Sequence, residues 1–388
     1  MKFGLPRTVI VLGMVSFLND AASEMITPLL PLFLTAALGA GPAIVGLVEG
    51  VAEATASLLK LVSGRLMDRG WRAKRLVLSG YGMSNAARPL IGLALGWGWV
   101  LVLRFLDRLG KGLRTAPRDA LIAGAVDERR RGWAFGVQRA LDHAGAVVGP
   151  LLAFALLSLG TDLADVFLWS LVPGALVIVL LVYGLPASTE GQAPAGGLPP
   201  LRWSMLDRQL RGLVLAAGGL ALVAVPEAFL VLWAHDRGLD ILWVPLLWAA
   251  ASGVKMLVVA PMAGLSDRYG RVPMLLAGWV FRLVVLVTLA LNGVEDSLVV
   301  TIVLFLAYAA ALASTEGAER ALIGDRAATE VRGTAFGVYH MLSGLAALPG
   351  AVLFGLIWEA AGSSVAFGVA ALISAATLLI FMRALWRQ

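Results

Sequence analysis

The chain has 388 residues, of which 59% are hydrophobic and only 14% charged, and it contains no cysteine. That balance is too apolar for a soluble domain of this length, and the missing thiols exclude disulfides, thiolate nucleophiles and cysteine metal sites. The net charge of +6 takes its meaning from where the basic residues fall.

Apolar stretches long enough to span the hydrocarbon core of a bilayer recur along the whole chain. About twelve are predicted, six in each half: residues 8–38, 43–66, 75–95, 97–126, 132–159 and 163–184, then 209–235, 240–264, 272–292, 297–326, 333–360 and 363–386. Backbone groups in lipid must be satisfied within their own segment, so the spans are helices and the fold class is an all-α membrane protein. The first span, after Lys2 and Arg7, opens like a signal peptide, but its apolar run continues through Pro28 and Phe33, so a spanning helix is expected. Residues 185–206, with Pro186, Pro194, Gly196-Gly197 and Pro199-Pro200, read as a linker between an N-terminal six-helix bundle, 1–184, and a C-terminal one, 207–388.

Basic residues alternate in their placement. One side collects Lys2, Arg7, Arg69, Arg72, Lys74, Arg75, Arg129-Arg130-Arg131, Arg202, Arg208, Arg211, Arg268, Arg271, Arg326, Arg332, Arg383 and Arg387, whereas the opposite loops offer only Arg237. By the positive-inside rule both termini are expected in the cytoplasm. The basic balance is therefore a topology signal, and no nucleic-acid partner is expected. Trp97, Trp99, Trp243 and Trp358 are placed at outer helix ends, where an indole suits the membrane interface.

The chain also repeats itself. Asp68-Arg69 follows Gly64, and Asp267-Arg268 follows Gly264, about 200 residues later. Ala120-Leu121-Ile122 with Gly132, Ala134-Phe135-Gly136 is answered at the same internal spacing by Ala321-Leu322-Ile323 with Gly333, Ala335-Phe336-Gly337. A membrane protein of two similar halves usually holds its site between them and rocks one against the other, which points to transport.

Gly64-Arg65-Leu66-Met67-Asp68-Arg69 and Gly264-Leu265-Ser266-Asp267-Arg268-Tyr269-Gly270-Arg271 resemble the doubled loop of the major facilitator superfamily, between helices 2 and 3 and helices 8 and 9. In the first copy Gly70-Trp71-Arg72 stands where the pattern has x-Gly-Arg. The resemblance covers essentially the whole chain. It implies two six-helix bundles related by a pseudo-two-fold axis around a central cavity, and a monomeric secondary transporter. It also implies a cytoplasmic gate at Gly64, Asp68, Arg69, Gly264, Asp267, Arg268 and Arg271. In helix 5, Gly145, Gly149 and Pro150 are similar to the G-x-x-x-G-P segment of proton-coupled antiporters that export drugs, with Ala153-Phe154 in place of that pattern's final Gly-Gly. The run from Asp107 to Asp119 resembles a bacterial branch of putative drug or metal exporters, which implies a bacterial cytoplasmic membrane.

Ionisable residues inside spans mark a cavity, a pathway or a required pair. Helix 4 places Arg104, Arg108, Lys111, Arg114 and Arg118 three or four apart, a stripe of roughly 21 Å along one face. Such a face must look at protein or water. Counter-charges are Asp20 and Glu24 on helix 1, Glu49 and Glu53 on helix 2, and Asp142 beside Arg139 and His143 on helix 5. One reading is a neutralised structural network. The other is proton coupling, because a carboxylate in a low-dielectric cavity holds its proton toward physiological pH. Asp20, near mid-helix beside Asn19, is the first candidate, followed by Glu24, Asp142 and Glu227, the last lacking an obvious local partner. Arg104, Asp107, Arg108, Lys111, Asn19, Glu53, Arg139, His143, Tyr339 and His340 are candidate cavity residues.

The leading expectation is a proton-coupled antiporter that exports a small organic solute by alternating access. Divalent-metal export through Asp20, Glu24, Asp142 and His143, and organic-anion transport through the helix 4 arginines, are the transport alternatives. A membrane sensor or scramblase is the alternative outside transport. The chain contains neither H-E-x-x-H nor G-x-S-x-G, so no enzyme, resident metal or cofactor is expected.

Overall fold

The computed structural model describes residues 6–68, 71–126, 128–185, 225–291, 297–326 and 332–386. Among these the regular elements are helices, and no strand occurs. They are α1 (Arg7–Glu24), α2 (Pro42–Asp68), α3 (Ala73–Leu90), α4 (Trp97–Gly124), α5 (Glu128–Ser158) and α6, in two pieces, Leu163–Trp169 and Leu171–Gly184. After the linker come α7 (Glu227–Asp236), α8 (Val244–Tyr269), α9 (Arg271–Leu291), α10 (Leu298–Arg326), α11 (Arg332–Ala361) and α12 (Ser363–Trp386). Eight stretches among the described residues are long and apolar enough to cross a membrane.

Prolines account for two departures from an uninterrupted span. The expected first helix, 8–38, is broken: α1 stops at Glu24, and the chain resumes as a turn, Leu30–Leu32, that widens into the π-helical Phe33–Ala37. Pro28 has no N–H to give the Glu24 carbonyl, and its ring collides with that carbonyl in a continuing helix. Pro31 falls within the first turn of the new piece, where its missing donor is harmless. Pro173 acts likewise on the Trp169 carbonyl and divides α6 at Ser170.

The chain divides into two compact units, Met1–Phe33 with Thr55–Pro200 and Leu34–Ala54 with Leu201–Gln388. In the first, Val9, Leu12 and Val15 of α1 pack with Val77 and Tyr81 of α3, Leu121 and Ile122 of α4, and Val177 and Leu181 of α6. Lys74 Nζ reaches the Leu185 carbonyl at 2.5 Å and Arg7 Nη2 the Tyr183 carbonyl at 3.3 Å, so basic residues meet the free carbonyls at the end of α6. Leu151, Leu152, Leu176 and Val179 face outward and exposed, as a surface in contact with lipid requires.

The second unit includes the first half of α2. There Gly46 and Gly50 lie so close to the α11 backbone that an added Cβ would sit 2.2 Å from the Ala351 oxygen and 2.9 Å from the Leu348 Cα. Phe229 and Trp233 of α7 pack with Phe354 and Trp358 of α11 and Phe367 of α12, at centroid distances of 4.8–6.3 Å. Trp97, Trp99 and Trp243 are exposed, but Trp358 is 8% exposed, so stacking rather than the interface holds it. Gly270, at φ +95°, turns the chain between α8 and α9, a conformation that favours glycine.

Candidate functional site

The charge of α4 is gathered around one carboxylate. Asp107 is fully buried, and its Oδ1 accepts from Arg88 Nε of α3 at 2.8 Å. Its Oδ2 lies 3.6 Å from Arg104 Nη1 and 3.5 Å from Arg108 Nε. Arg88 Nη1 also donates to the Asn19 backbone oxygen at 3.2 Å, Asn19 Oδ1 at 3.0 Å and Asn85 Oδ1 at 3.3 Å, tying α1, α3 and α4 together. Further along α4, Arg114 Nη1 donates to Ser84 Oγ at 2.6 Å, and its guanidinium lies 4.4 Å from the Tyr81 ring centroid. Ser16 Oγ receives Arg118 Nη1 at 3.4 Å and Gln138 Nε2 at 3.1 Å. Three arginines converge on one carboxylate, whose single negative charge offsets only part of theirs, and neighbouring backbone and side-chain oxygens take up further donors of Arg88, as burial of a charged group requires.

Arg88, Asn85, Ser84 and Gln138 are missing from the sequence-based set. Arg88 carries the same signal as Arg104, an arginine inside a predicted span. The polar residues carry no signal of their own, because Ser and Asn are ordinary in membrane helices and gain meaning only from their neighbours.

The acidic candidates of α1 and α5 meet where those two helices touch. An added Cβ on Gly145 would lie 2.3 Å from the Phe17 oxygen, and one on Gly149 2.5 Å from the Ala21 oxygen. Gly145 and Gly149 therefore set the contact, as small residues do between membrane helices. Asp142, one turn before Gly145, is brought into electrostatic contact with Asp20. Asn19 Nδ2 donates to Asp20 Oδ1 at 3.1 Å, while Glu24, Lys111 and Arg114 also act on the Asp20 carboxylate. Asp142 is buried; its Oδ2 lies 3.5 Å from Arg139 Nη1, and its Oδ1 has no hydrogen-bond partner among the described residues.

Other candidates lie apart from this pair. Arg139 and His143 are exposed, and Glu53 is exposed within the second unit. No group of three or more His, Asp or Glu side chains able to hold a metal occurs among the described residues, so Asp20, Glu24, Asp142 and His143 do not gather into one. Tyr339 and His340 fall in α11, but their side chains lie outside the described residues. The same holds for the side chains of Asp68 and Asp267 and for Arg69. Gly64 is in α2 and Gly264 in α8. Of the remaining loop residues, Arg268 stacks over Tyr269 at 5.5 Å, and Arg271 Nη1 donates to Ser266 Oγ at 2.7 Å across the Gly270 turn.

Glu227, which lacks a partner nearby in the sequence, is paired across helices. Lys255 Nζ of α8 lies 2.6 Å from its Oε2. The two are 28 residues apart, a separation at which sequence reveals no pairing.

Two helical units, a doubled loop at α2–α3 and α8–α9, and charge held at membrane depth define a polytopic membrane transporter. The model of the Major Facilitator Superfamily matches residues 12–264 and 246–388, and the chain belongs to that superfamily. An uncharacterized MFS-type transporter of Methanocaldococcus jannaschii is 31% identical over 364 residues, covering 92% of this chain and 89% of that protein. The multidrug resistance protein MdtG of Escherichia coli is 27% identical over 300 residues, covering 73% of this chain and 72% of MdtG. The solved nucleoside transporter NupG matches with a TM-score of 0.80 at 13% identity over 97% of this chain and 99% of that one, a likeness of fold.

Proposed function

We propose that this transporter is a proton-coupled antiporter that exports a small organic solute, with Asp20 and Asp142 as the proton-carrying pair. The observation that carries the reading is the meeting of these carboxylates at the glycine-lined contact of α1 and α5. Two carboxylates facing each other at low dielectric repel when both are ionised, and one proton between them relieves the repulsion. A cationic group of the solute relieves it equally, so proton and solute compete for one site. Competition of this kind is what exchange requires, because only differential affinity moves a two-state equilibrium. Similarity to MdtG, named for multidrug resistance, supports outward movement of organic solutes.

In this reading bundles 1–184 and 207–388 alternate across the linker 185–206, with both termini cytoplasmic and the protein monomeric. Asp68, Arg69, Asp267, Arg268 and Arg271 latch the cytoplasmic side, and the Asp107 network keeps α1, α3 and α4 a rigid body through the cycle.

The test is proton movement in proteoliposomes, read with a pH-sensitive dye as organic amines and neutral solutes are added under an imposed pH gradient. Wild type should release protons in response to a subset of the solutes, and Asp20→Asn should abolish the response while remaining folded. Equal responses from wild type and Asp20→Asn would sink the proposal.

A further inference from the structure

The ends of α1, α3 and α6 meet at one edge of the first unit, where Val9, Ala73, Val77, Leu181 and Leu185 share a core. Two cations stand over the meeting point. Arg7 Nη2 donates to the Tyr183 carbonyl at 3.3 Å and Lys74 Nζ to the Leu185 carbonyl at 2.5 Å. Tyr183 and Leu185 are two residues apart, so no more than about 7 Å of chain separates the two contacts. Arg75, next to Lys74, is exposed. A guanidinium has five donors and an ammonium three, so each cation keeps most of its donors after meeting one carbonyl. Carbonyls carry only partial charge, and none of Arg7, Lys74 and Arg75 has a carboxylate within ion-pair distance among the described residues. Asp119 of α4, two residues before Leu121 of the same core, is held by Arg118 at 2.9 Å. Apolar surface leads away from the cations. Val172, Leu176, Val179 and Tyr183 fall three or four apart on α6, each about half exposed or more. They make one stripe, about 16 Å long, that ends at Tyr183 beside Arg7.

We propose that this edge binds an anionic phospholipid, with its phosphate held by Arg7, Lys74 and Arg75 and an acyl chain laid along the α6 stripe. A phosphodiester brings a full negative charge and several acceptor oxygens, which guanidinium and ammonium meet through charge-assisted hydrogen bonds. Basic groups gathered between helices at a membrane surface attract anionic headgroups in this way. Tyr183 suits the same level, since its ring packs with acyl chains while its hydroxyl stays among the headgroups. The two halves of the site together select the ligand. A soluble phosphate answers the cations but leaves the stripe uncovered, whereas a zwitterionic lipid covers the stripe but carries a cation of its own toward Arg7 and Lys74. A lipid with a net negative charge fits both. Bound there, it fastens the ends of α1, α3 and α6 to one another. This site goes beyond the transport reading and does not rest on it.

The experiment is native mass spectrometry of the detergent-purified full chain given equimolar dioleoylphosphatidylglycerol and dioleoylphosphatidylcholine. The first lipid retained should be phosphatidylglycerol, by about tenfold over phosphatidylcholine. Arg7→Gln and Lys74→Gln can still donate to the α6 carbonyls, and each should lower that preference about fivefold, the worth of one cation at a membrane surface. Arg7→Lys and Lys74→Arg should keep the preference, which separates loss of charge from loss of fold. Arg268→Gln removes an exposed cation at the end of α8 and should leave the preference unchanged. Val179→Asn, in the stripe, should weaken retention of both lipids together, and millimolar inorganic phosphate should not displace phosphatidylglycerol. Asp20→Asn should select lipids as wild type does, so failure of the proton-carrying pair and failure of this site give different patterns. Equal retention of the two lipids, a loss from Arg268→Gln as large as from the Arg7 and Lys74 variants, or displacement by inorganic phosphate would overturn the proposal.

Discussion

The two units keep charge at membrane depth in opposite ways. In the first, one fully buried carboxylate is shared by three arginines from α3 and α4, and Asn19, Asn85 and Ser84 take up further donors. In the second, Glu227 and Lys255 form a partly exposed pair with the Trp248 ring 5.9 Å from the lysine. A closed network is rigid and exchanges partners poorly, because removing any member strands the others in low dielectric. An open pair exchanges its partner cheaply. The contrast is between a unit whose buried charges tie α1, α3 and α4 together and one whose Glu227–Lys255 pair stays partly exposed.

The largest test of that contrast is Asp107→Ala. It leaves Arg88, Arg104 and Arg108 without their shared anion and should cost about 3–5 kcal/mol of stability, against about 1 kcal/mol or less for Glu227→Gln. Unfolding in detergent measures both, and similar losses would erase the distinction. Next comes Gly145→Val, whose side chain meets the α1 backbone at Phe17. Overpacking there should cost about 1–3 kcal/mol and shift Asp20 from Asp142. Solute-evoked proton movement should fall with it, and unchanged proton movement would remove this contact from the coupling step.

A smaller structural effect is expected of Asp20→Asn, which keeps the shape and a hydrogen-bonding group. Stability should change by about 1 kcal/mol or less, although proton movement is lost. A large fall in unfolding temperature would make Asp20 part of the scaffold rather than the coupling pair. The smallest test contrasts the two loop copies. Gly270→Ala forces a Cβ into φ +95° and should cost about 1–2 kcal/mol. Gly64→Ala meets only the Ala116 Cβ at 3.9 Å in a helix, so it should be neutral or stabilise by up to about 1 kcal/mol. Equal outcomes would mean that the Gly270 turn tolerates a side chain as readily as a helical position does.

The repeat at Gly64 and Gly264 was legible as a loop signature because its residues are contiguous. The α4 stripe was legible because helical periodicity is local, and its five basic residues are spaced by a single rule. Yet the stripe alone left two readings open, a neutralised structural network and a set of cations able to recognise an anion. Asp107, within the same helix, joins its neighbours Arg104 and Arg108 to Arg88, which arrives from α3. Gly145 and Gly149 were readable as small residues at a contact, but their partners, Phe17 and Ala21, were not.

What the amino-acid sequence determined by itself is what depends on near neighbours: that the chain enters lipid as helices and that the halves are related; the breaks at Pro28 and Pro173 are equally local in cause, although the spans were expected to run through them. Hydropathy, backbone satisfaction and the missing proline donor all act within a few residues. Tertiary structure alone decided which charges meet. Arg88 finds Asn19 at a separation of 69 residues and Lys255 finds Glu227 at 28, and pair energies at low dielectric depend on a few ångströms of approach that no local pattern encodes.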